Sequence, residues 1–394
     1  MTTLPPGAAL PPLRLRVWSL LPIVQGGMGV GVSAHRLAGT VAGLGAVGTL
    51  SSVDLRRHHP DLMEATGRSR DKGAIDEANL VALDREVRAA LALAAGKGVV
   101  AVNVMRAVSD YARHVRRACE SGAQALVVGA GLPLDLPDMV EDYPDVALIP
   151  ILSDARGIAV LLKKWRRKGR LPDAIVIEHP RYAGGHLGSA RIAELADARF
   201  DFPRVLGETF ALFAELGIER ERVPLIPAGG INSPAKVREL IALGAAAVQV
   251  GTPFAVTEEG DAHPNFKKVL AEARPEDIVT FMSVAGLPAR AVRTPWLEGY
   301  LVRLPALARR VGKRAECTLA FDCLERCGLR DGIANTGQFC IDNQLAAALR
   351  GDLRRGLFFR GSETLPFGSQ IRPVRDLIAN LLGMPVPAWE VATT

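Results

Sequence analysis

The chain has 394 residues, 48% hydrophobic and 23% charged, so it holds enough apolar residues for a large core and is not intrinsically disordered. Aromatic residues make up only 5%, whereas there are 39 glycines and 26 prolines, a balance that favours many tight strand-to-helix turns over an aromatic-rich β-sandwich. The net charge of +6 lies largely in local runs such as residues 163–170, which indicate a solvated helix end, and no nucleic-acid partner is expected.

The amino-terminal residues do not have the sequence pattern of a targeting segment. Residues 1–12 are rich in proline and lack a charged start followed by an apolar run, and residues 1–20 are expected to form an N-terminal tail. Because no stretch of about 18 uncharged apolar residues occurs, we expect no membrane insertion and a cytoplasmic protein. Five cysteines in such a chain indicate thiols or ligands rather than a disulfide framework.

Short apolar runs flanked by turn residues recur along the first 255 residues and predict eight strands. These runs are residues 23–24, 46–49, 99–104, 125–128, 147–152, 174–177, 223–227 and 246–250. Helical periodicity fills most of the intervals, for example at Leu80, Leu83, Val87 and Leu91, which predict a helix over residues 76–95.

Continuous Val/Ile/Ala runs indicate strands buried on both faces, as in a parallel sheet covered by helices. Eight such units predict an α/β fold of the (β/α)8 TIM-barrel type over residues 21–255, with a polar loop insertion at 52–75. A doubly wound sheet would instead concentrate its glycines after the first strand. Residues 256–394 change to longer helical segments and are expected to form a helical cap with a Cys-bearing C-terminal segment.

In such a barrel the reacting groups follow the carboxyl ends of the strands. The first strand ends in Gly26, Gly27 and Met28, a run on which a planar cofactor can lie. The third strand offers the amide of Asn103, and the fourth offers bare backbone at Gly129. Each of these is otherwise a short strand-to-helix turn.

The sixth strand runs into Ala183, Gly184, Gly185 and His186, which place one imidazole among glycines. A neutral imidazole can take or return a proton near pH 7, so His186 is the candidate for acid–base work. A structural histidine is the alternative.

The seventh and eighth strands are expected to hold a phosphate, as is common at these two loops of a TIM barrel. The seventh ends in Ala228, Gly229 and Gly230, followed by a serine and a proline that suit the start of a helix. The eighth ends in Gly251 and Thr252, whose backbone amides and hydroxyl can complete the cradle.

Four of the five cysteines, Cys317, Cys323, Cys327 and Cys340, lie within 24 residues. Four thiolates are enough for zinc or an iron–sulfur cluster, so these residues are candidate metal ligands that should converge in space. No Cys-x-x-Cys pair is present, and buried thiols that pack the cap are the alternative.

Six motifs, five of which contain glycine, occur in a fixed order at residues 25–28, 102–103, 129–131, 183–188, 228–231 and 248–254. In this order they resemble the nitronate monooxygenase family, formerly called 2-nitropropane dioxygenases, and its relative, the flavin-dependent enoyl-acyl-carrier-protein reductase. The resemblance spans roughly residues 20–295. The first motif has Gly-Gly-Met where many nitronate monooxygenases have Ala-Pro-Met, which is closer to the reductase form.

The resemblance implies an FMN-binding TIM barrel in which His186 is the active-site histidine. It implies an isoalloxazine ring near Gly26, Gly27, Met28 and Asn103. It implies a phosphate on Gly184, Gly185, Gly229, Gly230, Gly251 and Thr252. Gly129, Ala183 and Ala228 complete the expected cofactor contacts.

The activity that the resemblance implies is oxidation of alkyl nitronates with O2 to carbonyl compounds and nitrite. The first alternative is an NAD(P)H-dependent reductase of a quinone or an enoyl thioester. The second is a non-catalytic FMN-binding protein that senses redox state. If the cysteines held a cluster, it would give the flavin an electron partner.

Overall fold

Eight parallel strands close into a barrel in the computed structural model, which describes residues 9–309, 311–312 and 317–388. The strands in chain order are β1 Leu13–Leu15, β2 Trp18–Leu20, β3 Ile23–Gln25, β4 Val47–Ser51, β5 Val99–Met105, β6 Ala125–Gly129, β7 Ala147–Leu152, β8 Ile175–Glu178, β9 Gly185–His186, β10 Leu225–Ala228, β11 Val248–Val250, β12 Ile278–Met282 and β13 Pro288–Val292. The barrel runs from β3 through β4, β5, β6, β7, β8 and β10 to β11, which pairs with β3 again. Each predicted strand overlaps one of these, so the predicted TIM barrel is confirmed.

The helices cover the outside of the barrel and continue into the C-terminal segment. They are α1 His35–Gly43, α2 Pro60–Thr66, α3 Lys72–Ala94, α4 Tyr111–Glu120, α5 Leu136–Met139, α6 Ala155–Arg166, α7 Phe202–Leu216, α8 Pro234–Ala242, α9 Thr252–Ala255, α10 Pro264–Glu272, α11 Pro295–Arg309, α12 Gly328–Asp331, α13 Ile341–Leu349 and α14 Val374–Leu382. Short 3₁₀ turns lie at Leu55–His58, Ile192–Glu194, Ala198–Phe200, Arg220–Arg222 and Pro275–Asp277.

Several helices start at side chains that accept a hydrogen bond from the first turn. Asp71 caps α3, Asp154 caps α6 through the amide of Gly157 at 2.7 Å, and Ser233 caps α8. These caps satisfy amide groups that have no partner inside the helix. The caps of α6 and α8 therefore fix these two strand-to-helix junctions close to the carboxyl ends of β7 and β10.

The barrel interior is filled by side chains that face inward from successive strands. They include Val24, Val47, Val99, Ala101, Ala125, Val127, Ala147, Ile149, Val176 and Ile226. The opposite faces of the strands pack against the helices in a second, larger cluster. Burial on both faces explains why the strands appear in the sequence as continuous apolar runs.

The amino-terminal end of the barrel is covered by the β1–β2 hairpin. Leu13, Leu15 and Leu20 are buried in the same cluster as the inward-facing strand residues. Arg16, at the hairpin turn, donates from Nη1 to Asp173 Oδ1 at 3.1 Å. Residues 1–20 were expected to form a tail, but from Leu13 onward the structure places them in this hairpin.

The expected loop insertion at residues 52–75 contains a 3₁₀ turn, α2 and the first turn of α3. A buried carboxylate organises it: Asp54, at 0% exposure, accepts from Arg56 Nε at 2.7 Å and also from Arg57. Nη2 of Arg57 also donates a hydrogen bond to Oδ2 of Asp342 in α13, at 2.5 Å. The polar residues that suggested a solvated loop instead join the barrel to the C-terminal segment.

The C-terminal segment carries the expected helices together with a small antiparallel sheet. In this sheet β13 lies between β12 and β9, and Ala289 pairs with His186. The loop after the sixth barrel strand is thus held by the cap. Within the described part of the chain, no helix combines the length and apolar character required to cross a membrane.

Candidate active site

A cavity of about 650 Å³ lies at the carboxyl ends of the barrel strands, beneath the cap. Every residue that the sequence predicted for the cofactor, together with His186, lines this cavity. All eight barrel strands or the loops that follow them contribute to its wall, and residues of the C-terminal segment complete it. The structure therefore brings the six separate motifs to one place.

The ends of the first and third strands approach each other closely at the cavity wall, where Gly27 lies against Asn103. A Cβ on Gly27 would stand 2.3 Å from the Cβ of Asn103, so only glycine fits there. Asn103 is fixed by a hydrogen bond from its Nδ2 to the carbonyl of Val127 at 3.0 Å. Beside them, Gly26 contacts the side chain of Gln249, whose Oε1 is buried without a hydrogen-bond partner among the described residues.

The glycines of the expected phosphate loops differ in what a side chain would meet at each position. Gly229 and Gly230 have φ values of +102° and +74°, which side chains other than glycine rarely adopt. A Cβ on Gly230 would also lie 2.9 Å from the ring of Tyr182. At Gly251, by contrast, φ is −108° and the nearest atom to a Cβ is the sulfur of Met28 at 4.0 Å. Gly251 is therefore the member of this group that borders open cavity.

His186 lies at the cavity wall with its ring partly exposed to the cavity. Its Nε2 is 2.7 Å from the hydroxyl oxygen of Ser283, which precedes β13. Burial lowers the pKa of His186 to about 4, so the imidazole is neutral at pH 7. The edge of the Phe359 ring packs on it, with the ring centres 5.6 Å apart.

The hydrogen bonds of Ser283 bear on which ring nitrogen of His186 carries the proton. Ser283 is fully buried, and its oxygen accepts from the amide of Ala285 at 3.1 Å. Nε2 of His186 is the acceptor that the described residues offer to the hydroxyl hydrogen. If Ser283 donates in this way, Nδ1 holds the proton and the ring is a hydrogen-bond donor toward a ligand; if Nε2 donates instead, Nδ1 is a base.

Sequence reasoning missed two residues of the cavity wall, Glu178 and Arg360, and the hydrogen-bond partner of His186, Ser283. Glu178, the last residue of β8, has a carboxyl group whose pKa burial raises to about 7. Ser283 and Arg360 come from the cap, more than 90 residues beyond the sixth strand. Glu178 could have been noticed as a carboxylate at the end of an apolar run, whereas the two cap residues carry no local signal.

The expected metal site is not supported. The four cysteines are close enough for Cys317, Cys327 and Cys340 to influence the Cys323 thiol, yet within the described ranges no three His, Cys, Asp or Glu residues are arranged to hold a metal ion. Burial raises the pKa of Cys323 well above its usual value and that of Cys340 to about 11. The side chains of Cys323 and Cys327 pack against the apolar cluster of the cap instead.

Comparisons with known proteins agree with this geometry. The sequence model of the nitronate monooxygenase family matches residues 16–383. A probable nitronate monooxygenase from Bacillus subtilis (strain 168) is 26% identical over 286 residues, which cover 70% of this chain and 78% of that protein.

Two solved structures share the fold. FabK from Thermotoga maritima superposes with a TM-score of 0.60 at 22% identity, covering 92% of this chain and 91% of that chain. A nitroalkane oxidase from Streptomyces ansochromogenes superposes with a TM-score of 0.60 at 18% identity, covering 93% and 96%. At these identities the similarity establishes the barrel architecture alone.

Proposed function

This chain belongs to the nitronate monooxygenase family of FMN-dependent oxidoreductases, and we propose that it oxidises alkyl nitronates with O2 to carbonyl compounds and nitrite. The observation that carries the proposal is the single cavity at the strand ends, in which the six family motifs meet His186. The cytoplasmic location stays a prediction from the sequence.

The residues of the cavity fit FMN. Gly251 borders open space, and the buried Oε1 of Gln249 lacks a protein donor, as expected where a ligand supplies one. Gly27 adds no side chain to the wall beside Asn103, so a ring system can lie there. When bound, FMN would accept electrons from the substrate and pass them to an electron acceptor.

The protein's own contribution is to orient the substrate and to exchange a proton. His186 is neutral and reaches the cavity, so its unengaged Nδ1 is the atom that would meet the substrate. With Nδ1 unprotonated, His186 would remove the proton of a neutral nitroalkane. A preformed nitronate needs no such step.

A second candidate function is an NAD(P)H-dependent reductase of a quinone or an enoyl thioester. Two observations favour it. The buried hydroxyl of Ser283 is fully satisfied only when it donates to His186, which makes Nδ1 a proton donor suited to a reductase. The cavity wall is also mostly apolar, which suits a quinone or the acyl chain of an enoyl thioester.

An anaerobic stopped-flow comparison separates these functions. The holoprotein is mixed with NADH, NADPH or the nitronate of a primary nitroalkane, and bleaching of the flavin absorbance is followed. Rapid bleaching by nitronate alone supports the monooxygenase, whereas bleaching by NADH or NADPH supports the reductase. If no donor reduces the flavin, the non-catalytic FMN-binding protein is the remaining explanation. If the protein purifies without flavin and does not bind added FMN, the proposal is refuted.

A further inference from the structure

We propose that residues 359–364, here called the strap, form the outer wall of the cofactor phosphate pocket and that Arg360 supplies the cationic charge that selects FMN over riboflavin. The inference rests on the proposed FMN-binding function and adds to it a binding element that lies outside the glycine motifs.

The strap contacts the loops after the sixth, seventh and eighth barrel strands. The amide of Gly361 donates to the hydroxyl oxygen of Thr252 at 3.0 Å. Nδ2 of Asn232 donates to the carbonyl and to the hydroxyl oxygen of Thr364 at 3.0 and 3.1 Å. The amide of Ser362 donates to the carbonyl of Tyr182 at 3.2 Å. The three loops expected to surround the phosphate are thus tied together by one segment.

Two glycines permit this close approach. A Cβ on Gly184 would stand 2.5 Å from the backbone of Arg360 and Gly361, and a Cβ on Gly361 would stand 2.9 Å from the carbonyl of Tyr182. Gly184, predicted as a phosphate contact, therefore has a second reason to be glycine, because the strap backbone passes directly over it.

The Arg360 guanidinium is fixed by hydrogen bonds that leave one of its nitrogens available to bind a ligand. Its side chain is only 3% exposed and lines the cavity. Nε donates to the carbonyl of Leu270 at 2.9 Å, and Nη1 donates to the carbonyls of Gly361 and Glu363 at 2.8 and 3.1 Å. Within residues 9–309, 311–312 and 317–388, Nη2 has no hydrogen-bond partner, so its two N–H groups remain for a ligand.

The cavity wall carries four carboxyl groups, on Asp154, Glu178, Asp342 and Glu363, so an anionic ligand would find its counter-charge where Arg360 lies. Arg360 is the one Arg or Lys among the described residues of the wall. Burial lowers the pKa of Arg360, and the nearby Glu363 offsets this only in part. The Oε1 of Glu363 accepts from the hydroxyl of Ser362 at 3.1 Å, and its side chain is exposed at the rim. A buried guanidinium without an ionic partner is costly unless a ligand supplies the counter-charge. A phosphate monoester offers that charge and accepts the two Nη2 hydrogens.

The test measures the affinity of the apoprotein for FMN and for riboflavin by quenching of flavin fluorescence. In Arg360→Gln the affinity for FMN should fall about 10- to 100-fold while that for riboflavin changes less than about 3-fold. Arg360→Lys should restore part of the preference. Arg355→Gln removes a charge from an exposed residue just before the strap and serves as the control.

Equal loss of FMN and riboflavin in Arg360→Gln would overturn the proposal and give Arg360 a structural role through its three carbonyl partners. If that variant does not fold, hydrogen exchange of the wild-type strap decides: FMN should protect residues 359–364 more than riboflavin does, and equal protection refutes the proposal. A wild-type protein that binds neither flavin would instead refute the proposed function.

Discussion

Gly251→Val gives a direct test of where the cofactor lies. The backbone at Gly251 has a φ of −108° and a ψ of −84°, outside the common helical and extended regions, and a Cβ there would meet no atom closer than the Met28 sulfur at 4.0 Å. The added carbon atoms would enter the cavity and not the protein core. We therefore expect no clash in the apoprotein, and a loss of stability of no more than about 1–3 kcal/mol, the cost of holding a side chain in an uncommon backbone conformation.

The affinity for FMN should also fall. Forcing extra carbon atoms into a filled space costs about 1–3 kcal/mol, which corresponds to a loss of roughly 5- to 150-fold in affinity. Gly251→Ala should show a smaller loss because it adds one carbon. Gly230 is a poorer test, since its φ of +74° and the ring of Tyr182 at 2.9 Å would destabilise any side chain even without cofactor.

The measurement pairs flavin titration of the apoprotein with its thermal unfolding. Gly207→Val is the matched control, because Gly207 lies exposed on α7 with no atom within 4 Å of a Cβ. Unchanged FMN affinity in Gly251→Val would refute the placement of the cofactor beside the eighth strand.

Three further predictions concern chemistry and pH. His186→Asn should slow the turnover of neutral nitroalkanes by about 10²-fold or more while sparing preformed nitronates; equal loss with both substrates in steady-state assays would assign His186 to binding. Burial raises the pKa of Glu178 from about 4.5 to about 7, so the folded apoprotein loses stability relative to the unfolded chain as pH rises through this interval, by at most about 3 kcal/mol. Thermal unfolding of Glu178→Gln should lose less stability between pH 5 and 8 than the wild type, and parallel curves would contradict the burial of this carboxyl. Because Phe266, Leu270 and Leu345 line the cavity, kcat/KM should rise up to about 4-fold per added methylene of the substrate, and a flat series from nitroethane to nitrohexane would contradict an apolar substrate site.

The sequence allowed the barrel and the inner wall of the cavity to be predicted because both follow local rules. Apolar runs set the strands, and turn glycines mark their carboxyl ends, as at Gly229 and Gly251. Arg360 and Ser283 escaped prediction because they reach the cavity wall and His186, respectively, from distant cap segments and stand in no recognisable motif. The β1–β2 hairpin escaped for a related reason, since three leucines in a short segment do not reveal the open barrel end that they cover.

The hairpin at the amino-terminal end also constrains how reactants travel. Leu13, Leu15 and Leu20 close the amino-terminal end of the barrel. Reactants therefore enter the described cavity, and products leave it, on the cap side. A second reactant that must occupy the place of the first can then enter only after the first product has departed. The reductase alternative, in which NAD(P)H and the second substrate use the same place, should therefore give a ping-pong pattern with parallel double-reciprocal lines. Oxidation of a nitronate should instead give intersecting lines, because O2 must react while the nitronate is still bound.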